Sequence, residues 1–351
     1  MSFLQQLARL SAQIPTRRQR VAVAGVAAAL SSVLVSNTYR STPGYHSDFG
    51  IAWFGARAML DGRDPYPLIG PGREFDIRWQ PLYPATAMVA AIPFAALTER
   101  LATMGFVAVS VFLLAFGMTR DGWHLLPLFA TETFASSARL GQWSILVTAA
   151  LFLPWLAFLT VGKPQAFLPV LAASRTRAPI VSAVIGGVAL LLVSLALLPS
   201  WPSAWIHAMK STAHMQPPIL HLGGFLILLV LLKWRRPESW LVLAMACMPQ
   251  SWGWYNTLPV FAVPRTFTES IVLAGIMTIG GLAGTMLIPP LTSVDAFYSW
   301  VGALLVITIY LPAVGLILRR PNEGKLPAWT PRLAALFKRS NPERPEGGTS
   351  P

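Results

Sequence analysis

Tyr45-His46-Ser47-Asp48-Phe49, Asp61-Gly62-Arg63-Asp64-Pro65-Tyr66 and Arg78-Trp79-Gln80-Pro81-Leu82-Tyr83-Pro84 punctuate a polar stretch that mixes carboxylates, arginines and aromatics. Charge-free apolar runs flank it, Val21 to Tyr39 before and Pro81 to Thr98 after. Runs of that length match roughly 30 Å of hydrocarbon, so the stretch reads as an aqueous loop at a membrane surface. The rest of the chain then reads as its scaffold.

Composition agrees. Hydrophobic residues make up 54% of the 351 residues and charged residues 12%, against roughly 25% charged in soluble domains. Such a chain cannot cover its surface with polar groups, and lipid must be the solvent for most of it. The net charge of +13 comes from Lys and Arg beside apolar runs, which fits the excess of cations in cytoplasmic loops rather than nucleic-acid binding. The single cysteine, Cys247, excludes an intrachain disulfide, and no zinc-type His/Cys cluster, phosphate-cradling glycine loop or Ser-His-Asp signature is present. Neither a metal nor a cofactor is expected.

Further charge-free runs lie at Leu101 to Thr119, Leu140 to Gly162, Ile180 to Leu198, Ser270 to Pro290 and Ala296 to Leu318, with shorter or Pro-broken ones between them. Arg17-Arg18, Arg175-Thr176-Arg177, Lys233-Trp234-Arg235-Arg236 and Arg319-Arg320 mark the cytoplasmic side. The expected fold is an all-α, polytopic transmembrane helix bundle of about ten to twelve spans. Its parts are a cytoplasmic N-terminus over 1–20, a membrane domain over 21–318 with its first exterior loop at 40–80, and a basic tail over 319–351. Arg17, Arg18 and Arg20 before an apolar run resemble a signal sequence, but without a small-residue cleavage site the run reads as an uncleaved first span. The tail is polar enough to stay unfolded, with one basic turn from Arg332 to Phe337 suited to anionic headgroups.

Within the first loop, Ser47 or Asp48 caps an amphipathic interfacial helix with Phe49, Ala52, Trp53, Ala56 and Met59-Leu60 on one side and Gly62 as its stop. Asp48 is the candidate general base, since a carboxylate between water and lipid has a tunable pKa. Asp is equally a common helix cap, so both readings stand at this point. Asp64 is either a second acidic group or the cap of a Gly-Pro turn. Arg73 and Arg78 suit pairing with Glu74 and Asp76, or phosphate oxygens. Lys163, behind Gly162, is an ionisable group near membrane depth or a snorkelling one. His207 and Lys210, with Trp201 and Trp205, form a second exterior set able to hold a sugar or phosphate, at spacings that do not make a metal site. Gln142 and Gln250 place amides at the ends of apolar runs.

The order of Ser47-Asp48-Phe49, Gly62-Arg63-Asp64-Pro65-Tyr66, Leu82-Tyr83-Pro84, Gly141-Gln142, Lys163-Pro164 and Ser251-Trp252 resembles glycosyltransferase family 87, the polyprenol-phosphate-mannose-dependent mannosyltransferases of the C-type superfamily. The likeness covers most of the chain from Asp48 to Pro264 through short motifs whose order carries it. It implies a multi-pass enzyme of the cell (inner or plasma) membrane that moves a sugar, mannose first among candidates, from a polyprenyl-phosphate donor to a glycan or glycolipid hydroxyl on the exterior face. Asp48 is then the base; Asp64, Tyr66, Tyr83, Gln142 and Trp252 join the substrate-binding set through these motifs; and Arg78, Lys163, Lys210 or Arg265 would stabilise the phosphate leaving group. Membrane lipid is the surrounding partner and nucleic acid is not one. Where the family continues Ser-Trp with an acidic residue and a histidine, this chain has Gly253-Trp254-Tyr255, and the interval from Gln142 to Lys163 is short. A non-catalytic lipid-carrier-binding scaffold of the same fold is therefore the second reading, and a transporter of lipid-linked sugars the third.

Overall fold

The computed structural model describes residues 13–77, 80–210, 216–249, 254–286 and 294–324. The described chain is an all-α bundle without a β-strand among these residues, and five of its helices are long and apolar enough to cross a membrane. They are Arg17–Ser41 (α1), Glu99–Met118, Ala178–Leu197, the Phe267–Gly284 part of Phe267–Met286, and Ser299–Leu318. This is a multi-pass membrane protein. Exposed Val184, Ile185 and Leu192 on Ala178–Leu197 show the lipid-facing chemistry, because a helix that apolar outside has no stable surface in water.

α1 starts on a capping box: Thr16 accepts from the Gln19 amide, and Gln19 reaches back to the Thr16 N–H at 2.9 Å. The first loop then forms a helix over Asp48–Leu60 (α2), followed by a short helix over Ala85–Ala91 (α3) and the long helix Glu99–Met118 (α4). α1 and α4 run antiparallel. At one end the Tyr39 hydroxyl donates to Glu99 at 2.9 Å, and at the other Arg20 donates to the Phe116 carbonyl at 3.1 Å and lies 4.1 Å over its ring. The Asp48 loop therefore lies at one end of the α1–α4 pair and Arg20 at the other.

Three expectations change in the structure. The run from Pro81 to Thr98 does not cross: its apolar helical part, Ala85–Phe94, spans about 15 Å. Both its ends are tied to the same layer, that of the Asp48 loop, where the Leu82 carbonyl accepts from Trp205 Nε1 at 3.0 Å and the Leu97 carbonyl from Trp53 Nε1 at 3.1 Å. The run from Leu140 to Gly162 breaks into Ser144–Phe152 and a 3-10 stretch Pro154–Gly162. Leu153 precedes a proline, which drives it out of the helical region to φ −124°, ψ 82°. Finally, α2 does not lie half-exposed in the interface. Ile51, Ala58 and Gly55 are buried beside the expected Phe49, Ala52, Trp53 and Ala56, so it packs inside the protein on nearly every side, with Leu60 left exposed. The basic turn at 332–337 lies outside the described residues.

Candidate functional site

Ser47, not Asp48, caps α2: its hydroxyl accepts from the Gly50 amide at 2.9 Å. Gly62, at φ +71°, follows the helix as the sequence suggests, in a conformation that favours glycine. Asp48 is the first helical residue, so its carboxylate is freed from capping while the helix dipole still favours its charge. It accepts no hydrogen bond from the described residues and is only partly shielded from solvent. Burial of its surroundings raises its pKa to about 6, with the positive charge of Lys163 pulling the other way.

Close packing brings the distant motifs to Asp48. Its own amide donates to the Leu140 carbonyl at 2.9 Å, and the Tyr45 hydroxyl to the Arg139 carbonyl at 2.9 Å. Gly141 then turns at φ +64°, where an added Cβ would stand 3.2 Å from that of Phe49 and 3.4 Å from that of Ser47. Only glycine allows both the turn and the approach. The turn delivers Gln142, fully buried, whose Oε1 accepts from Lys163 Nζ at 3.3 Å.

Lys163 sits between Gly162 and Pro164, held at φ −147°, ψ 72° by the following proline. A Cβ added at Gly162 would stand 3.5 Å from Ala87 Cα, an ordinary contact, and Thr86 Oγ1 donates to the Val161 carbonyl at 2.5 Å, which locks this segment onto α3. The Lys163 ammonium is buried, lies 5.6 Å over the Tyr83 ring, and has no carboxylate within ion-pair distance among the described residues. Burial lowers its pKa to about 8, and the charge of Asp48 opposes the change. The Gln142 Nε2 and the indole nitrogen of Trp143 are buried without a partner. The cluster thus holds an unused carboxylate, a buried cation and two unused N–H donors, an arrangement matched to a ligand with both a hydroxyl and anionic oxygens.

A second carboxylate, which the sequence reading passed over, stands behind the first. Glu99 accepts from Tyr39, from the Ser47 amide at 3.1 Å and from His46 Nδ1 at 2.7 Å. It approaches the start of α2 because Gly50 has no side chain: a Cβ there would overlap the Glu99 carboxylate. Ser47 Oγ also meets Thr103 Oγ1 at 2.8 Å, so α4 clamps the first turn of α2 from one side while Gly141 closes the other. The only available signal was a lone glutamate at the exterior start of a span.

The remaining candidates divide. Tyr66 donates to the Tyr83 carbonyl at 3.1 Å, one residue from the α3 entry, and joins the cluster's wall. Asp64 accepts from the Tyr66 amide at 3.0 Å, the turn-capping geometry of its alternative reading. Glu74 pairs with Arg63 rather than with Arg73, which instead donates to the Pro67 carbonyl at 3.2 Å. His207 and Lys210 are exposed on the helix Trp201–Met209 and its cap; this helix docks on the start of the α3 segment through Trp201 and Trp205. Arg265 lies against Glu238, 2.6 Å away, at the Met118 end of the bundle and far from Asp48, which removes it from the leaving-group set. Arg78 and Trp252 lie outside the described residues. Comparison with protein-family models, with curated proteins and with solved structures finds no match.

Proposed function

We propose that the chain is a glycosyltransferase of the cell membrane that transfers a sugar, mannose first among candidates, from a polyprenyl phosphate to an acceptor hydroxyl on the exterior face. The observation that carries this reading is the convergence of Asp48, Gln142, Lys163 and Tyr83, four residues of the ordered motifs, on one partly open cluster. Asp48 takes the proton of the acceptor hydroxyl as its oxygen attacks the anomeric carbon. The bond from that carbon to the phosphate oxygen breaks, and the polyprenyl phosphate leaves with the electron pair. Its charge is met by Lys163, with Gln142 Nε2 as a further donor. The indole N–H of Trp143, unpartnered among the described residues, is a further donor beside the cluster.

The test is to incubate membranes holding the protein with radiolabelled polyprenyl-phosphate mannose and an extract of envelope glycans. Label moving to the glycan fraction supports the reading. Saturable binding of the donor without turnover supports the scaffold reading instead, which the missing histidine after Ser251-Trp252 favours.

A further inference from the structure

At the opposite end of α4 from Asp48, a cavity of about 480 Å³ opens among Met118, Leu151, Val170, Arg175, Glu238 and Arg265. The 20 residues of α4 put it about 30 Å from the exterior cluster. Its floor is apolar, with Leu125, Phe152 and Leu241, and its rim is charged.

Of the charged residues lining the cavity, Arg265, Glu238 and Asp121 are engaged in ion pairs and Arg175 is not. Glu238 is bonded by Arg265 at 2.6 Å and flanked by Arg320 at 3.5 Å and Arg236 at 4.0 Å, while Glu269 takes the other arm of Arg320 at 2.6 Å. Asp121 is spent on Arg120 at 3.7 Å. Arg175 is left over. It lines the cavity, donates one nitrogen to the Arg235 carbonyl, and among the described residues has neither a carboxylate partner nor any partner for Nε and Nη1. A guanidinium with free N–H groups beside an apolar chamber is the chemistry that recognises phosphate oxygens on an amphiphile.

We propose that this cavity binds a phosphate-bearing anionic group, with Arg175 as its anchor and the apolar floor holding the attached hydrocarbon. The positive-inside assignment puts the mouth at the cytoplasmic leaflet, where anionic headgroups are at hand. The site is separate from the exterior cluster and stands whether or not that cluster transfers sugar.

The experiment follows the thermal unfolding midpoint of the purified full chain in neutral detergent micelles. Phosphatidylglycerol, phosphatidylcholine and inorganic phosphate are titrated in turn into the parent protein, Arg175→Gln and Thr176→Trp. Thr176 is exposed at the cavity mouth, so a bulky residue there obstructs entry without touching the core. The expected result is a saturable rise with phosphatidylglycerol, none with phosphatidylcholine, and at least a tenfold weaker half-saturation in both variants. The same variant-sensitive rise with inorganic phosphate alone supports the phosphate chemistry and assigns its source to a soluble compound. No rise with either anion, or a phosphatidylglycerol response unchanged in Thr176→Trp, overturns the proposal.

Discussion

At Asp48, a carboxylate that neither caps its helix nor accepts a hydrogen bond from the described residues must hold its charge against the surrounding packing. Its pKa, raised from 3.8 to about 6, fixes two signs. As a base it must be ionised, so transfer is expected to rise with pH through about 6; above about 8, where Lys163 gives up its proton, the rate is expected to fall. A pH–rate profile checks both limbs. For folding the sign is opposite. The folded state holds the Asp48 proton more tightly than the unfolded chain, so stability falls as pH rises from 3.8 to about 6. Asp48→Asn is accordingly expected to raise the thermal midpoint at pH 8 by a few degrees while removing transfer. Lys163→Met removes the charge that favours ionised Asp48, so the acidic limb of any residual activity is expected to move to higher pH, with a loss of about 100-fold in kcat.

At the scale of elements, α2 is held at its first turn by contacts that depend on small residues. Gly141→Ala places a side chain at φ +64° and 3.0 Å from Thr103 Cγ2; an expected cost of about 2 kcal/mol follows from the left-handed backbone and the crowding together. Chemical denaturation measures it. Ser47→Ala removes the cap, for about 1 kcal/mol. The cap and the stop of α2 were legible because Ser, Asp and Gly have strong positional preferences. Its burial was not, because Ile51, Gly55 and Ala58 face neighbours that approach from Met88 and elsewhere in the chain. Glu99 escaped notice for the same reason: its histidine partner is 53 positions away, and no local spacing encodes that pairing. Conversely, Asp48 and Lys163 stood out as ionisable residues at the start of a loop helix and at the end of an apolar run, whereas Tyr83 and Gln142 entered the set only through the order of the motifs.

For the whole molecule, hydropathy reports which segments are apolar but not which ones continue through the bilayer. The run from Pro81 to Thr98 returns to the layer it left, and Pro154 divides another, so among the described residues five helices reach crossing length while the other apolar runs are short or broken. The membrane environment was written in composition, and the helical, polytopic character in the lengths of the charge-free runs. Sidedness has its own test. In a Cys247→Ser background, a cysteine replacing exposed Thr42 is expected to react with an impermeant maleimide on intact cells, and one replacing exposed Glu323 only after permeabilisation. The reverse pattern would invert the bundle and move the Asp48 cluster to the cytoplasm.

The central claim is that Asp48 removes a proton from an acceptor at a site that also holds a polyprenyl-phosphate sugar. It is tested most directly by measuring, in one purified preparation, donor binding and label transfer from radiolabelled polyprenyl-phosphate mannose for the parent protein and for Asp48→Asn. The account predicts that the variant binds donor within about threefold of the parent while transfer drops by at least about 100-fold. Transfer at the parental rate in the folded variant would contradict it.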